Sequence, residues 1–339
     1  MSKREIVRSA LEFRKPDYTP WQFDFTWGAH YKLLEHCGAE AIEDLKDGHI
    51  MSVSGVSDGH TDLGNGLFRD AFGVVWNRSC HEGMGVVEGC LLPEPNLRNL
   101  KLPDPHQARI PERMAQALQG NPDYFRVFAG GGDFFTRAWS LRGMENLLMD
   151  FVENPQFVRD LFRALADYYI ALVRQGVQYD IDAVYFADDW GQQRGLIMGP
   201  KIWREFILPE LRRVFREVRQ AGKFVMLHSC GDVAELFDDL VEAGLNCFNP
   251  FQPEVMDTDA LLRQYHGRLA FYGGLSTQQL LPYGSVDDVR RQTRHLLELG
   301  AAGGYIFAPA HTVMADVPVE NMLAFIDECR QQVAFPRKR

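Results

Sequence analysis

Two side chains able to bind a metal stand two residues apart at the end of an apolar run: His228 and Cys230 in KFVMLHSCG, residues 223–231. In an extended strand such a pair shares one face, here the face that also carries Phe224 and Met226. Zinc accepts imidazole nitrogen and thiolate sulfur together, and a catalytic zinc typically uses three protein ligands with a fourth position open. A third donor, His311, closes another apolar run in FAPAHTV. The expectation is a zinc site built from His228, Cys230 and His311.

Other residues at the ends of apolar runs could serve chemistry beside it. Asp188 and Asp189 end DAVYFADD and could act as acid/base groups or position a substrate amine, or could cap the next helix or pair with Arg194. Only one of these neighbours can face the same side of a strand. Asp24 and Gln252 join them as candidate catalytic groups, Gly273 and Gly274 are candidates for cofactor contact, and Asp133 is a reserve metal ligand. A second Cys/His group, Cys80 and His81 in SCHEG with Cys90 beyond, lies in a stretch that reads as a hairpin. GGGD at 130–133 lacks the Gly-Lys-Ser/Thr ending of a phosphate loop and the Gly-x-Gly-x-x-Gly of a dinucleotide turn, so it reads as a connecting loop. EHCG at 35–38 reads as a helix end capped by Gly38.

The elements that must carry these groups follow from the period of the apolar residues. From about residue 124 onward, β-branched or aromatic runs alternate with stretches of helical period, giving six strands and five intervening helices. Two earlier runs, TPWQFDF (19–25) and HIMSVSG (49–55), bring the strands to eight. Eight strands separated by helices predict an α/β fold, a (β/α)8 barrel, whose chemistry sits at the C-terminal strand ends. The chain reads as a single domain, 1–339, with an irregular insertion over one barrel end at about 56–123.

Composition narrows the function. With 36 basic against 46 acidic residues and a formal charge of -10, the chain offers no clustered cations for nucleic acid beyond the C-terminal PRKR. No run approaches the roughly 18 apolar residues of a membrane helix, and the charged N-terminus has no signal-peptide core. Six cysteines spread over 339 residues do not form a disulfide framework, which predicts a reducing, cytoplasmic setting.

HSCGDV, NPFQPEVMD, FYGGLSTQQLL and GGYIFAPAHTVMADVPVENMLAFID together resemble the uroporphyrinogen decarboxylase superfamily, most closely its zinc- and cobalamin-dependent methyltransferase branch, over about residues 4–332. That resemblance implies a zinc held by a His-x-Cys pair and by a Cys in a Pro-Gly-Cys element before Pro-x-Glu-Asn. The pair falls on His228 and Cys230, whereas the third position reads PAHTV, so His311 stands where the branch has cysteine. One thiolate in place of two would leave the metal more positive and a stronger Lewis acid. A uroporphyrinogen decarboxylase proper would carry an arginine element resembling MRQAGRY on its first strand; this chain has WQFDFTWGAH, without arginine.

The resemblance implies methyl transfer between a corrinoid (cobalamin) and a small methyl donor or acceptor bound at zinc. No Asp-x-His-x-x-Gly cobalamin motif is present, so the corrinoid is expected on a partner protein, and the insertion, with Trp76, could shape its docking or simply cover the barrel end. The alternative is a decarboxylase or lyase on the same barrel, using Asp24, Asp188 or Asp189 as acid/base groups and needing no corrinoid.

Overall fold

The computed structural model describes residues 1–55, 60–79, 85–119 and 123–334. Seven parallel strands lie side by side in chain order: β1 (Ile50–Ser54), β2 (Phe125–Gly131), β3 (Ala183–Ala187), β4 (Phe224–His228), β5 (Cys247–Phe251), β6 (Ala270–Leu275) and β7 (Tyr305–Pro309). Helices cross between them. The longest, Pro155–Gly176, begins at the expected Asn-Pro, and Val286–Leu299 begins at a capping box between Ser285 and Asp288.

The expected eighth strand is not regular. Residues 19–25 make only isolated bridges, Trp21 with Phe307 and Phe25 with Val313. They nevertheless close the ring. On the β7 side the Phe307 amide donates to the Pro20 carbonyl and the Gln22 amide to the Phe307 carbonyl. On the β1 side the Gln22 side-chain oxygen accepts from the amides of His49 and Ile50 at 3.1 and 2.9 Å. Pro20 has no amide to give, and a glutamine side chain takes over ladder bonds that a backbone carbonyl would have made. Gly48 leaves it room: a Cβ there would fall 2.2 Å from that oxygen. The architecture is the expected (β/α)8 barrel with one irregular stave.

Alternation along the strands divides the core in two. Phe125, Val127, Ala183, Met226, Cys247 and Ile306 fill the barrel interior, while Phe128, Val184, Phe186, Leu227, Phe248 and Phe271 pack outward beneath the helices. The helix Lys3–Leu11 plugs the floor with Val7 and Leu11. Its Arg4 and Arg8 both donate to the buried carboxylate of Asp182, at 2.8 and 2.5 Å, and the Arg126 amide donates to the same group at 2.9 Å.

After β1 the chain builds a four-stranded antiparallel sheet from Thr61–Gly64, Leu67–Arg69, Val75–Asn77 and Val86–Glu88. The expected hairpin supplies its last two strands. The irregular excursion ends earlier than predicted, because the helix Ile110–Leu118 buries Ile110 and Met114 and packs against β1 as an ordinary crossover. Trp76 is buried: it donates its indole N–H to Asp70 at 3.0 Å and packs edge-on against Trp139. Arg137 reaches the same Asp70 carboxylate at 2.6 Å, tying the small sheet to the helix Phe134–Arg142. Among the described residues, no helix is long and apolar enough to cross a membrane.

His49 staples the irregular stave to β1. Its Nδ1 lies 3.0 Å from the Trp21 carbonyl and 3.4 Å from the Trp21 amide, and the shorter contact assigns the proton to Nδ1, leaving Nε2 to accept from the Tyr18 hydroxyl at 3.0 Å. Burial lowers this imidazole from 6.5 to about 4. The unfolded chain therefore takes up a proton that the fold refuses, so the contribution is whole above pH 6.5 and is lost as pH falls toward about 4. We predict that His49→Gln weakens the protein at pH 7 but flattens the loss between pH 6.5 and 4.5 by about 2 kcal/mol. Urea unfolding of both proteins across that range tests it; parallel pH profiles would refute it.

Candidate metal centre

β4 and β5 are in a register that sets His228 opposite Asn249. The Asn249 side-chain oxygen lies 2.7 Å from His228 Nδ1 and also accepts from the Tyr185 hydroxyl at 2.7 Å, while its amide nitrogen donates to the Tyr272 carbonyl at 3.0 Å. An amide that donates on one side and accepts on the other has a single sensible orientation, so Nδ1 carries the His228 proton and Nε2 offers a lone pair. That nitrogen sits 3.2 Å from the Cys230 sulfur. The His311 ring stands across from it, centroids 5.8 Å apart, and one donor atom from each of the three residues lies within 4.8 Å of the others. Among the described residues this is the one such group of histidines, cysteines and carboxylates.

A tetrahedral zinc with bonds of about 2.0–2.3 Å sets its ligand atoms roughly 3.3–3.8 Å apart, so the donor set fits with small side-chain rotations. Burial holds the His228 imidazole below its ordinary value, with the Asp189 carboxylate and Asn249 opposing that effect. It is therefore neutral and free to ligate. Burial, reinforced by Asp189, pushes the Cys230 thiol up to about 12. It keeps its proton at neutral pH until a cation arrives to displace it. His311 is exposed, and its Nδ1 accepts from the Thr312 amide at 2.9 Å; that tautomer carries its proton on Nε2, so ligation through Nε2 requires this bond to break and the proton to move to Nδ1.

The neighbouring aspartates divide as strand geometry requires. Asp189 accepts from the Cys230 amide at 2.9 Å and lies 3.7 Å from His228 Nε2. Asp188 faces away, which corrects its expected catalytic role. Its buried carboxylate receives the amides of Phe135 and Thr136 at 2.9 and 2.8 Å and the Trp190 indole at 2.6 Å, and so caps the helix Phe134–Arg142. Burial pushes it up to about 7 against those three donors.

Gln252 is also a support: buried, it accepts from the Gly231 amide at 2.7 Å and does not line the cavity described below. Gly231 itself has φ +83°, and a Cβ there would come within 2.3 Å of Gly191, so this turn can press against the loop after β3 only as glycine. Gly273 and Gly274 are likewise not in cofactor contact. Both are buried, and Cβ atoms on them would strike the Phe251 amide at 2.6 Å and the Tyr305 hydroxyl at 2.5 Å. Asp133 is held by Tyr169 and, at 3.3 Å, by Arg137, remote from the three donors. Cys80 and His81 lie outside the described residues, and Cys90 donates to the Arg142 carbonyl at 3.1 Å.

A cavity of about 160 Å³ is lined by two of the three donors, His228 and His311. Gln22 and Asp24 wall it from the irregular stave, Tyr185, Asn249 and Tyr272 from β3, β5 and β6, and Thr312 from the loop after β7. Asp24 is wet on its cavity side yet enclosed by protein, and that burial raises its carboxyl above the ordinary range, with His311 pulling the other way. Tyr185, Asn249 and Tyr272 were missed in the sequence. Each stands two residues beyond an interior residue (Ala183, Cys247 and Ala270), so extending the inward phase by one step would have found them.

The profile of the family described as uroporphyrinogen decarboxylase (URO-D) matches residues 87–332. The uroporphyrinogen decarboxylase of Nocardia farcinica is 30% identical over 179 residues, 51% of this chain and 48% of that protein. That of Rhodococcus jostii is 29% identical over 178 residues, 51% of this chain and 48% of that protein. The matched stretch thus spans about half the length of these relatives. A solved methyltransferase from Methanosarcina mazei shares the fold over 98% of this chain and 99% of its own, with a TM-score of 0.74 and 18% identity.

Asn249 touches the donor set only through His228 and Tyr185, so its removal isolates the value of a fixed tautomer. We predict that Asn249→Ala weakens zinc binding about 10- to 100-fold, whereas Cys37→Ala leaves it unchanged. Competition against a chromophoric chelator measures both. Equal affinities would show that His228 does not depend on Asn249.

Proposed function

The chain belongs to the uroporphyrinogen decarboxylase family, and from that premise we propose that it is a zinc-dependent methyltransferase moving a methyl group between a corrinoid carried by a partner protein and a small substrate. The observation that carries this reading is the convergence of His228, Cys230 and His311, two of which, His228 and His311, line an open cavity. Zinc held there would supply a Lewis acid for a substrate thiol or for the heteroatom that gives up the methyl group.

The protein's own part is positional. Asn249 keeps the His228 lone pair turned to the cavity side, and Asp189 pins the backbone that presents the Cys230 thiol. Gln252 fixes the following turn through the Gly231 amide. Asp24, Tyr272 and Gln22 present polar groups to the substrate, and the half-open mouth leaves one face free for the methyl carrier.

A second reading, decarboxylation of a carboxylated substrate, draws on the activity for which the Nocardia farcinica relative is named. Against it, no arginine or lysine lines the cavity among the described residues, so nothing there would anchor carboxylates.

The assay is spectral, because cobalt(I) and methylated cobalt(III) corrinoids absorb differently. We expect zinc-loaded enzyme to interconvert them with a small methyl donor or thiol acceptor, and Cys230→Ala to lose metal and turnover together. His311→Ala should weaken zinc binding, and His311→Cys should restore it. Release of CO2 from uroporphyrinogen, without any cobalt signal across donors and acceptors, would replace this reading with the decarboxylase.

A further inference from the structure

The polar groups of the cavity divide into those already satisfied by the protein and those that are not. Asn249 and the Tyr185 hydroxyl are spent on each other and on His228, and the Gln22 oxygen is spent on β1. Two groups remain. The Asp24 carboxylate has no hydrogen bond or ion pair with any described residue, only its backbone carbonyl being engaged, by the Val313 amide. The Tyr272 hydroxyl, rooted in a mostly buried ring, has no hydrogen-bond partner among them either. Asp24 is exposed to the cavity, so water meets its carboxylate when the site is empty, and a cationic group that entered would exchange that water for an ion pair.

Charge points the same way. Asp24 lines the cavity, Asp189 stands beside His228, and no lysine or arginine side chain contributes to the wall among the described residues. The space, about 160 Å³, is small, so the part of an occupant that lies within it is small too. We propose that this site selects a small substrate bearing a cationic or hydrogen-bond-donating head, received by Asp24 with Tyr272 beside it, and excludes anionic substrates of the same size. The inference rests on the methyl-transfer reading for the reacting atom, but the selection by charge belongs to Asp24 alone.

Three thiols of nearly equal size differ only in their heads: cysteamine, 2-mercaptoethanol and 3-mercaptopropionate. Titrated by calorimetry into zinc-loaded protein, they should bind in that order of decreasing affinity, with cysteamine at least tenfold tighter than 3-mercaptopropionate. Asp24→Asn should bring that ratio to within about twofold while the zinc content stays at the wild-type level. Tighter binding of 3-mercaptopropionate, or an undiminished preference in Asp24→Asn, would overturn the proposal. If no thiol binds, the zinc reading fails, and the head groups are compared directly: saturation-transfer NMR with ethylammonium and acetate should then show an Asp24-dependent preference for the cation. Absence of that preference would overturn the charge selection as well.

Discussion

Three hydrogen bonds fix the amide of Asn249, and the barrel mouth is organised around it. It receives His228 and the Tyr185 hydroxyl on its oxygen and gives its nitrogen to the Tyr272 carbonyl, so β3, β4, β5 and β6 meet at one side chain. None of these partners can shift without unsatisfying another. The consequence reaches His228, whose tautomer is decided before any metal arrives. His311 lacks such a support. Its ring is exposed and its Nδ1 is engaged by the Thr312 amide of its own loop, so the centre pairs a rigid half on β4 with an adjustable half after β7.

That arrangement demands a barrel whose strands keep strict phase, and the two ends of the barrel enforce it differently. Below, Asp182 gathers Arg4, Arg8 and the Arg126 amide, clamping the plug helix to β2 and β3. Above, the ring closes through a stave that has almost no ladder. Gln22 substitutes side-chain oxygen for backbone carbonyl, and the freedom gained lets residues 22 and 24 turn into the cavity. Irregularity at this one stave thus supplies polar groups that a regular strand would have spent on pairing.

Much of this was legible in the sequence, for definite reasons. The period-2 runs located every regular barrel strand, and His-x-Cys at a strand end fixed both residues on the inward face. The separate roles of Asp188 and Asp189 were not legible, because alternation says only that they differ; the helix that needed a cap decided which one turned away. Gly273 and Gly274 looked like room for a cofactor, yet the room is taken by the Phe251 backbone and the Tyr305 phenol, contacts made across neighbouring strands. Asn249 was hidden for the opposite reason. Its position is ordinary in sequence, and its importance comes from a register that only strand pairing sets.

The placement of unsatisfied groups is itself informative about what the fold was built to do. The floor satisfies its charges: Asp182 is fully buried yet receives three donors. The mouth, a few residues higher on the same strands, leaves the Asp24 carboxylate and the Tyr272 hydroxyl unmet and holds the Cys230 thiol protonated beside a carboxylate. Asp24 and Tyr272 both face the open cavity, and polar groups that a fold leaves unspent in one place mark a site where a ligand can supply the partner. Because the stabilising contacts lie in the floor network and the outward-facing core, the mouth can carry this deficit without unfolding the barrel. The same separation lets residue types at the mouth change, a histidine standing where relatives of the methyltransferase branch are expected to have cysteine, while the barrel beneath keeps its shape at 18% identity.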